Sequence, residues 1–196
     1  AENDEELWSW WWYLNDNKEM EGHYVDGRKN GVWTWWFDSG IKQSEGHYVD
    51  DEQDGLWSYF AKDGSVAEEI TFSGGKRDGR STVWLTPEEK QEEKFYKNGK
   101  LDGPSTFWEN GYRSTMTTYK SDSPEGPWVI WFSNSDQIKE QGFHQKGIRE
   151  GLTTYYYEDG TMQREGFFKE GLPDGMWTYW NKEGEKDFDF DFGSGL

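Results

Sequence analysis

Short aromatic runs alternate with more polar runs along the whole chain. The aromatic runs include VWTWWF at 32–37 and MWTYWN at 176–181, and a typical polar run is IKQSEGHYV at 41–49. Both kinds are rich in β-formers and are separated by turns such as Asp-Ser-Gly at 38–40. The pattern predicts a strand, a tight turn, a second strand and a loop, with no helix. The segment 86–95 has the most helix-like composition, but its register with the polar runs predicts a strand, with Pro87 in the turn.

This unit repeats about every 24 residues. A marker glycine recurs at intervals of 24, 24, 24, 23, 25 and 24 residues, at Gly31, Gly55, Gly79, Gly103, Gly126, Gly151 and Gly175. We predict eight repeats in a single domain of residues 1–196, at roughly 7–30, 31–54, 55–78, 79–102, 103–125, 126–150, 151–174 and 175–196. Two strands in each give an all-β fold, an elongated single-layer antiparallel β-meander of stacked hairpins. The alternating Asp and Phe residues of 187–192 predict a charged closing strand.

Aromatic side chains dominate the apolar residues. The chain has 14 Trp, 11 Tyr and 12 Phe, whereas only 32% of its residues are hydrophobic. Successive side chains of a strand point to opposite faces, so the ring positions two and five residues after the marker glycine place rings on both faces. Two uses are open for them: packing on one another, or binding a partner with one face. The candidate partner-binding rings are Trp33, Trp36, Trp57, Trp84, Trp108, Trp128, Trp131, Trp177 and Trp180.

The formal net charge of −18 opposes binding to nucleic acids and to anionic membranes, and favours a basic protein partner. Glutamates at one repeat position predict an acidic stripe, which is either solvated or a docking site: Glu21, Glu45, Glu69, Glu93 and Glu165. His23 and His47 lie one repeat, about 10 Å, apart and cannot share a metal ion. The chain has no cysteine, no nucleophile motif and no phosphate-binding loop. We therefore expect no enzyme activity, cofactor or metal site.

The spacing G-x-W-x-Y-W-x-x-x-G, followed by E-G-x-Y-x-x-G-x-x-D-G, resembles the MORN repeat. The bacterial variant found in proteins labelled as antitoxins is the most similar form, and the clearest copies are 31–55 and 151–175. The resemblance implies stacked hairpins that serve as a non-enzymatic protein-interaction scaffold, here an immunity- or antitoxin-type binder of a basic partner. Eukaryotic relatives are linked to membrane lipids, a use that the acidic charge opposes. Ser81, Ser105 and Thr153 replace the motif's tryptophan, so we expect the middle copies to be weakened, bent or specialised.

Two other functions stay open. The segment WWYLNDNKEMEG at 11–22 is similar to cell-wall choline-binding repeats, whose aromatic boxes would bind choline or a glycan. The third hypothesis is a structural subunit that assembles through its open sheet edges. No stretch is apolar and long enough to predict membrane insertion. The chain begins Ala-Glu-Asn-Asp, so the bacterial cytoplasm fits, as do the periplasm and the extracellular space if a signal was removed.

Overall fold

A computed structural model describes residues 7–193, with side chains from Trp11 onward. These residues form 17 β-strands and no helix, so the predicted all-β hairpin fold is confirmed. It follows that the described residues contain no helix capable of crossing a bilayer. The tertiary contacts divide the chain into two compact halves, residues 1–100 and 101–196. We refer to them as the first half and the second half; one repeat domain over 1–196 stays a prediction.

In the first half, eight strands pair in sequence order as an antiparallel meander. The predicted strand at 86–95 is confirmed: residues 85–88 form the bend before β8. The strands are β1 (Leu7–Trp12), β2 (Lys18–Val25), β3 (Arg28–Trp36), β4 (Lys42–Val49), β5 (Glu52–Phe60), β6 (Val66–Ser73), β7 (Lys76–Trp84) and β8 (Lys90–Lys97).

The second half continues the same pattern, with one interruption at Glu150 that separates a two-residue strand from its continuation. Its strands are β9 (Lys100–Glu109), β10 (Tyr112–Lys120), β11 (Ser123–Trp131), β12 (Ile138–Gln145), β13 (Ile148–Arg149), β14 (Gly151–Tyr156), β15 (Met162–Lys169), β16 (Leu172–Trp180) and β17 (Lys186–Asp191). The alternating segment 187–192 therefore forms most of the last strand, as predicted.

The marker glycines lie within the first four residues of their strands. Gly31 has a φ of +73°, and the other six marker glycines also have positive φ values. Glycine adopts this conformation without the steric cost that a Cβ atom imposes. Glycine therefore recurs at this position in seven repeats because the position requires a positive φ.

A bulge in the hairpins sets which side chains share a face. Trp35 pairs with Ser44, but the next residue, Trp36, pairs with Lys42, so Gln43 is the extra residue. Residues three apart on a regular strand face opposite ways, but this bulge places Lys42 and Glu45 on the same side. We call that side the glutamate face; it carries Glu21, Glu45, Glu69, Glu93 and Glu165. The opposite side is the tryptophan face, which carries Trp33, Trp57, Trp128 and Trp177.

Candidate interaction surfaces

Tryptophan and glycine form a paired contact on the tryptophan face. Trp33 is 0% exposed, and its indole lies flat on Gly22, where a Cβ atom would be only 2.1 Å from Cδ2. The indole Nε1 donates a hydrogen bond to the carbonyl oxygen of His23, at 3.2 Å. The apolar ring is thereby buried, and its polar N–H keeps a hydrogen bond in the interior. The same contact recurs for Trp57 on Gly46 and Trp177 on Gly166.

In two of the three repeats that lack the tryptophan, its partner position also changes. Ser81 stands at the tryptophan position of its repeat and pairs across the strands with Ile70, which stands where other repeats have glycine. Both are buried, at 3% and 4% exposure. In other repeats a large tryptophan packs on a small glycine, whereas here a small serine packs on a large isoleucine. The exchange keeps the interior filled. Lys94 likewise replaces the glycine that would face Ser105.

Trp128 departs from this arrangement. Its repeat has Thr117 at the glycine position, and Trp128 instead approaches Gly142 on the next strand, whose added Cβ would lie 2.8 Å from Cζ2. The Trp128 ring remains 2% exposed, but its Nε1 has no hydrogen-bond partner within the described residues. The Thr153 hydroxyl beside Gly142 is also buried and has no hydrogen-bond partner within the described residues. This repeat keeps its apolar packing without the indole hydrogen bond.

The remaining rings of the tryptophan face form a ladder. Trp35 lies 5.7 Å from Trp33 and 5.6 Å from Trp57, centroid to centroid. Tyr48 contacts both Trp33 and Trp57 edge-on, at 6.2 and 5.0 Å. Edge-on and tilted pairs at these distances are the favoured arrangements of aromatic rings. The ladder confirms that rings of successive repeats pack on one another.

The chain's own cations occupy the aromatic boxes of this ladder. The Lys29 ammonium lies 4.6, 5.4 and 5.1 Å from the rings of Trp33, Trp35 and Tyr48. In the second half, the Arg149 guanidinium lies 4.4 Å from the Trp128 ring. Three rings around one ammonium is the geometry that binds quaternary ammonium ligands elsewhere. In these repeats an internal side chain takes that place.

The nine candidate partner-binding tryptophans divide into three groups by their exposure. Trp33, Trp57, Trp128 and Trp177 are at most 3% exposed, so their rings have almost no surface to offer. Trp131 is 9% exposed and lies under the Arg113 guanidinium, at 4.8 Å. Trp36, Trp84, Trp108 and Trp180 are half-buried and remain accessible in part. Partner binding stays a prediction for all nine, and burial limits direct contact to the last four.

The predicted acidic stripe is largely a row of ion pairs. Lys42 and Lys90 lie 2.7 Å from Glu45 and Glu93, and Lys18 pairs with Glu21 in the same way. The fourth and fifth members, Glu69 and Glu165, have Val66 and Met162 at the lysine position. The docking role of the stripe stays a prediction, and in three of its five members a lysine already neutralises the charge.

The acidic residue before the marker glycine joins successive loops. The carboxylate of Asp78 accepts the backbone N–H of Asn98, at 2.9 Å. The sequence identified this position only as part of the repeat marker. Its bonding partner lies 19 to 21 residues further along, and the same bond links Asp102 to Ser121, Glu125 to Lys146, and Glu150 to Glu170.

A set of exposed apolar residues lies on the glutamate face, immediately after the marker glycines. Val32, Leu56, Leu152 and Met176 are 46–55% exposed, and Pro127 is exposed as well. The repeat pattern does not by itself identify these residues as exposed, although every marker glycine except Gly79 is followed by an apolar residue or proline. Phe143 and Phe167, exposed by 44% and 55%, pair across the strands with Pro127 and Leu152.

Some ionisable groups of the described residues lie in a cleft or against a buried ring. A cleft of about 590 Å³ in the second half mixes Lys139, Arg164 and Lys182 with Glu140 and aromatic rings. In the described part of the chain, no group of three or more His, Asp or Glu side chains could hold a metal ion. Burial, followed by the Arg149 charge, lowers the pKa of His144, which stacks on Trp128. This perturbation has a packing cause and does not require a catalytic role.

Comparison with known proteins gives one family. The model of the MORN repeat variant matches residues 29–50, 53–73 and 149–170. No curated protein matches the chain. Each matched segment covers all but the first residue of an aromatic strand, the turn after it and the whole of the polar strand that follows. The predicted resemblance is therefore confirmed for these three segments, which are similar to the MORN repeat variant.

Proposed function

We propose that the chain is a non-enzymatic interaction scaffold that binds a basic protein partner on its glutamate face. MORN repeats generally mediate contacts with proteins or membrane lipids, and three segments of this chain match the MORN variant. The observation that carries the proposal is the division of labour between the two faces. On the tryptophan face the tryptophans Trp33, Trp57, Trp128 and Trp177 are buried, and half-exposed rings occur at Phe107, Phe188 and Phe190. The glutamate face leaves apolar side chains half exposed immediately after the marker glycine in successive repeats. Contiguous exposed apolar residues are a common feature of protein-binding surfaces.

The charge selects between the two kinds of partner. At a net charge of −18, anionic lipid headgroups and nucleic acids are repelled, whereas a basic protein is attracted at long range. An immunity- or antitoxin-type role, in which the basic partner is a toxin, is the specific form of this function that we propose.

Affinity capture from cells of the native host tests the proposal. We expect one basic protein to be enriched at low salt, to be lost at high salt, and to be lost when Glu150→Gln, Glu165→Gln and Asp191→Asn are combined. Three equivalent changes on the hairpin turns, Glu88→Gln, Glu158→Gln and Glu183→Gln, serve as the control with the same net charge. If no protein is enriched at either salt concentration, or if both variants retain it equally, binding of a basic partner to this face is contradicted.

The choline- or glycan-binding alternative concerns the aromatic boxes. Because Lys29 already occupies the box of Trp33, Trp35 and Tyr48, a free cation has to displace it. We expect titration with choline or oligosaccharides to leave the tryptophan fluorescence unchanged. A saturable change would favour this alternative over the scaffold.

Self-assembly is the third candidate, and β17 is the strand that bears on it. In the described residues β17 pairs with β16. Phe188 and Phe190 on β17, and Phe192 immediately after it, are 44–49% exposed. The intervening Asp189 and Asp191 oppose pairing with a second identical edge because like charges would meet. Light scattering over a range of concentrations should give a monomer, whereas a mass that grows with concentration would favour an assembly subunit.

A further inference from the structure

We propose that the glutamate face of the second half binds an amphipathic, basic α-helix of the partner. This inference rests on the proposed function and specifies the surface and the chemistry of its occupant. The surface is an apolar stripe formed by Pro127, Phe143, Leu152, Phe167 and Met176.

The stripe runs across the strands. Pro127 on β11 is paired with Phe143 on β12, and Leu152 on β14 is paired with Phe167 on β15. Met176 follows on β16 and is 54% exposed. Pro127, Phe143 and Leu152 line one open cavity of about 490 Å³. Three stripe residues thus share one groove, and Phe167 and Met176 extend the apolar surface over the next two strands. Scattered exposed residues, by contrast, need no partner.

Carboxylates border the stripe along its length. Asp174 stands opposite Phe167 across the strands, and Asp191 stands opposite Met176. Glu150 lines the cavity, and Glu165 lies two residues from Phe167 on the same face. An occupant therefore needs apolar side chains in its centre and Lys or Arg on its flanks. Complementary charge of this kind guides association and fixes orientation.

The spacing of the stripe fits a helix. Neighbouring strands lie about 4.8 Å apart, so the five strands place the stripe residues over about 19 Å. One turn of an α-helix rises about 5.4 Å, and three to four turns, or about 13 residues, span this length. An amphipathic helix presents an apolar residue at nearly every turn, which matches one stripe residue per strand.

Among the described side chains of the first half, from Trp11 onward, there is no equivalent stripe. Val32 and Leu56 occupy the same repeat position as Leu152, but they pair with His47 and Thr71, and the next repeat has Arg80. The polar partners and the arginine interrupt the apolar surface there. The first half therefore supplies internal controls at matched positions with nearly equal exposure.

The test uses synthetic peptides and the full chain. The probe is a fluorescent 14-residue peptide of Leu and Lys arranged as an amphipathic helix, and the reference is the same composition in a scrambled order. We expect tighter binding of the amphipathic peptide, with helical circular dichroism in the complex. Leu152→Gln combined with Phe167→Gln should weaken its binding by about tenfold, because two apolar contacts are lost. Val32→Gln combined with Leu56→Gln should leave it within about twofold, since these residues lie outside the stripe.

Three results would overturn the inference, and they separate it from the proposed function. If both peptides bind equally and neither pair of substitutions matters, the stripe is not the site, although binding of basic partners persists. If the bound peptide has the circular dichroism of a strand, the occupant is not a helix. If neither basic peptide binds, the helix site is rejected, and the capture experiment decides the proposed function independently. All four substituted side chains are about half exposed, so loss of the fold is not expected.

Discussion

At the scale of single residues, the interior is built from size-matched pairs across neighbouring strands. Trp57 lies so close to Gly46 that a Cβ atom on residue 46 would be only 2.1 Å from Cδ2 of the indole. Ser81 and Ile70 occupy the equivalent pair of positions one repeat further on, with the volumes exchanged. The loss of tryptophan in that repeat is therefore accompanied by a compensating gain of volume.

The exchange of volumes predicts the result of a double-mutant cycle. Gly46→Ile alone should destabilise by overpacking, and Trp57→Ser alone should cost about 3–5 kcal/mol through the cavity that it leaves. The double variant, which copies the Ile70–Ser81 pair, should recover at least about 1 kcal/mol relative to additivity. Urea unfolding of the four proteins measures this coupling, and strictly additive effects would contradict the pairing.

His144 provides a pH-dependent test of packing at the same scale. Burial, and then the charge of Arg149, lowers the pKa of His144 below its ordinary value of about 6.5. The folded state therefore favours the neutral ring. The stability that this gives is present above the ordinary pKa, and is lost as the pH falls from that value towards the folded-state pKa. NMR titration should give a midpoint below 6.5, and Arg149→Gln should raise it; a wild-type midpoint at or above 6.5 would refute this environment.

At the scale of the hairpin, the acidic residue before four of the marker glycines binds the loop that follows the next strand. The Asn98 N–H donates to Asp78, so the start of β7 is tied to the loop after β8. At the other end of the hairpins, the Tyr13 hydroxyl donates to the Trp36 carbonyl oxygen at 3.0 Å. These repeats are thus attached to a neighbour by side-chain bonds as well as by strand pairing.

Removal of one loop bond should have a local effect. Asp78→Ala should cost about 1 kcal/mol, because it removes one charge-assisted hydrogen bond to an exposed loop. Hydrogen exchange at the Asn98 amide should become faster, while amides in β5 remain protected. Glu88→Ala, which removes an exposed carboxylate from a hairpin turn, is the control. Equal exchange at Asn98 in both variants would show that the loop bond is not formed in solution.

The elements were predictable from the sequence because turns, marker glycines and aromatic runs recur in one register. The pairing of Lys42 with Glu45 was not, since residues three apart belong to opposite faces of a regular strand. Only the bulge at Gln43 brings them together, and nothing in the local composition distinguishes Gln43 from a regular strand residue. The same bulge explains why the stripe predicted as acidic is partly neutral.

At the scale of the molecule, we propose that the two faces of each half have different tasks. Alternation in the sequence predicts rings on both faces but does not reveal which rings are buried, because that depends on the glycine of a neighbouring strand. Trp177 is 3% exposed, whereas Met176, its immediate neighbour, is 54% exposed on the other face. We propose that partners contact the glutamate face, while packing on the tryptophan face maintains the fold.

Hydroxyl-radical footprinting of the full chain, with and without the amphipathic basic peptide, tests this claim most directly. Without peptide, Met176 should be oxidised readily, and Trp177 should be protected by its burial. Adding the peptide should protect Met176, Leu152 and Phe167, with no change at Trp35 or Tyr59 on the tryptophan face. Protection of Trp35 and Tyr59, with Met176 still oxidised as in the free chain, would contradict the assignment of the two faces.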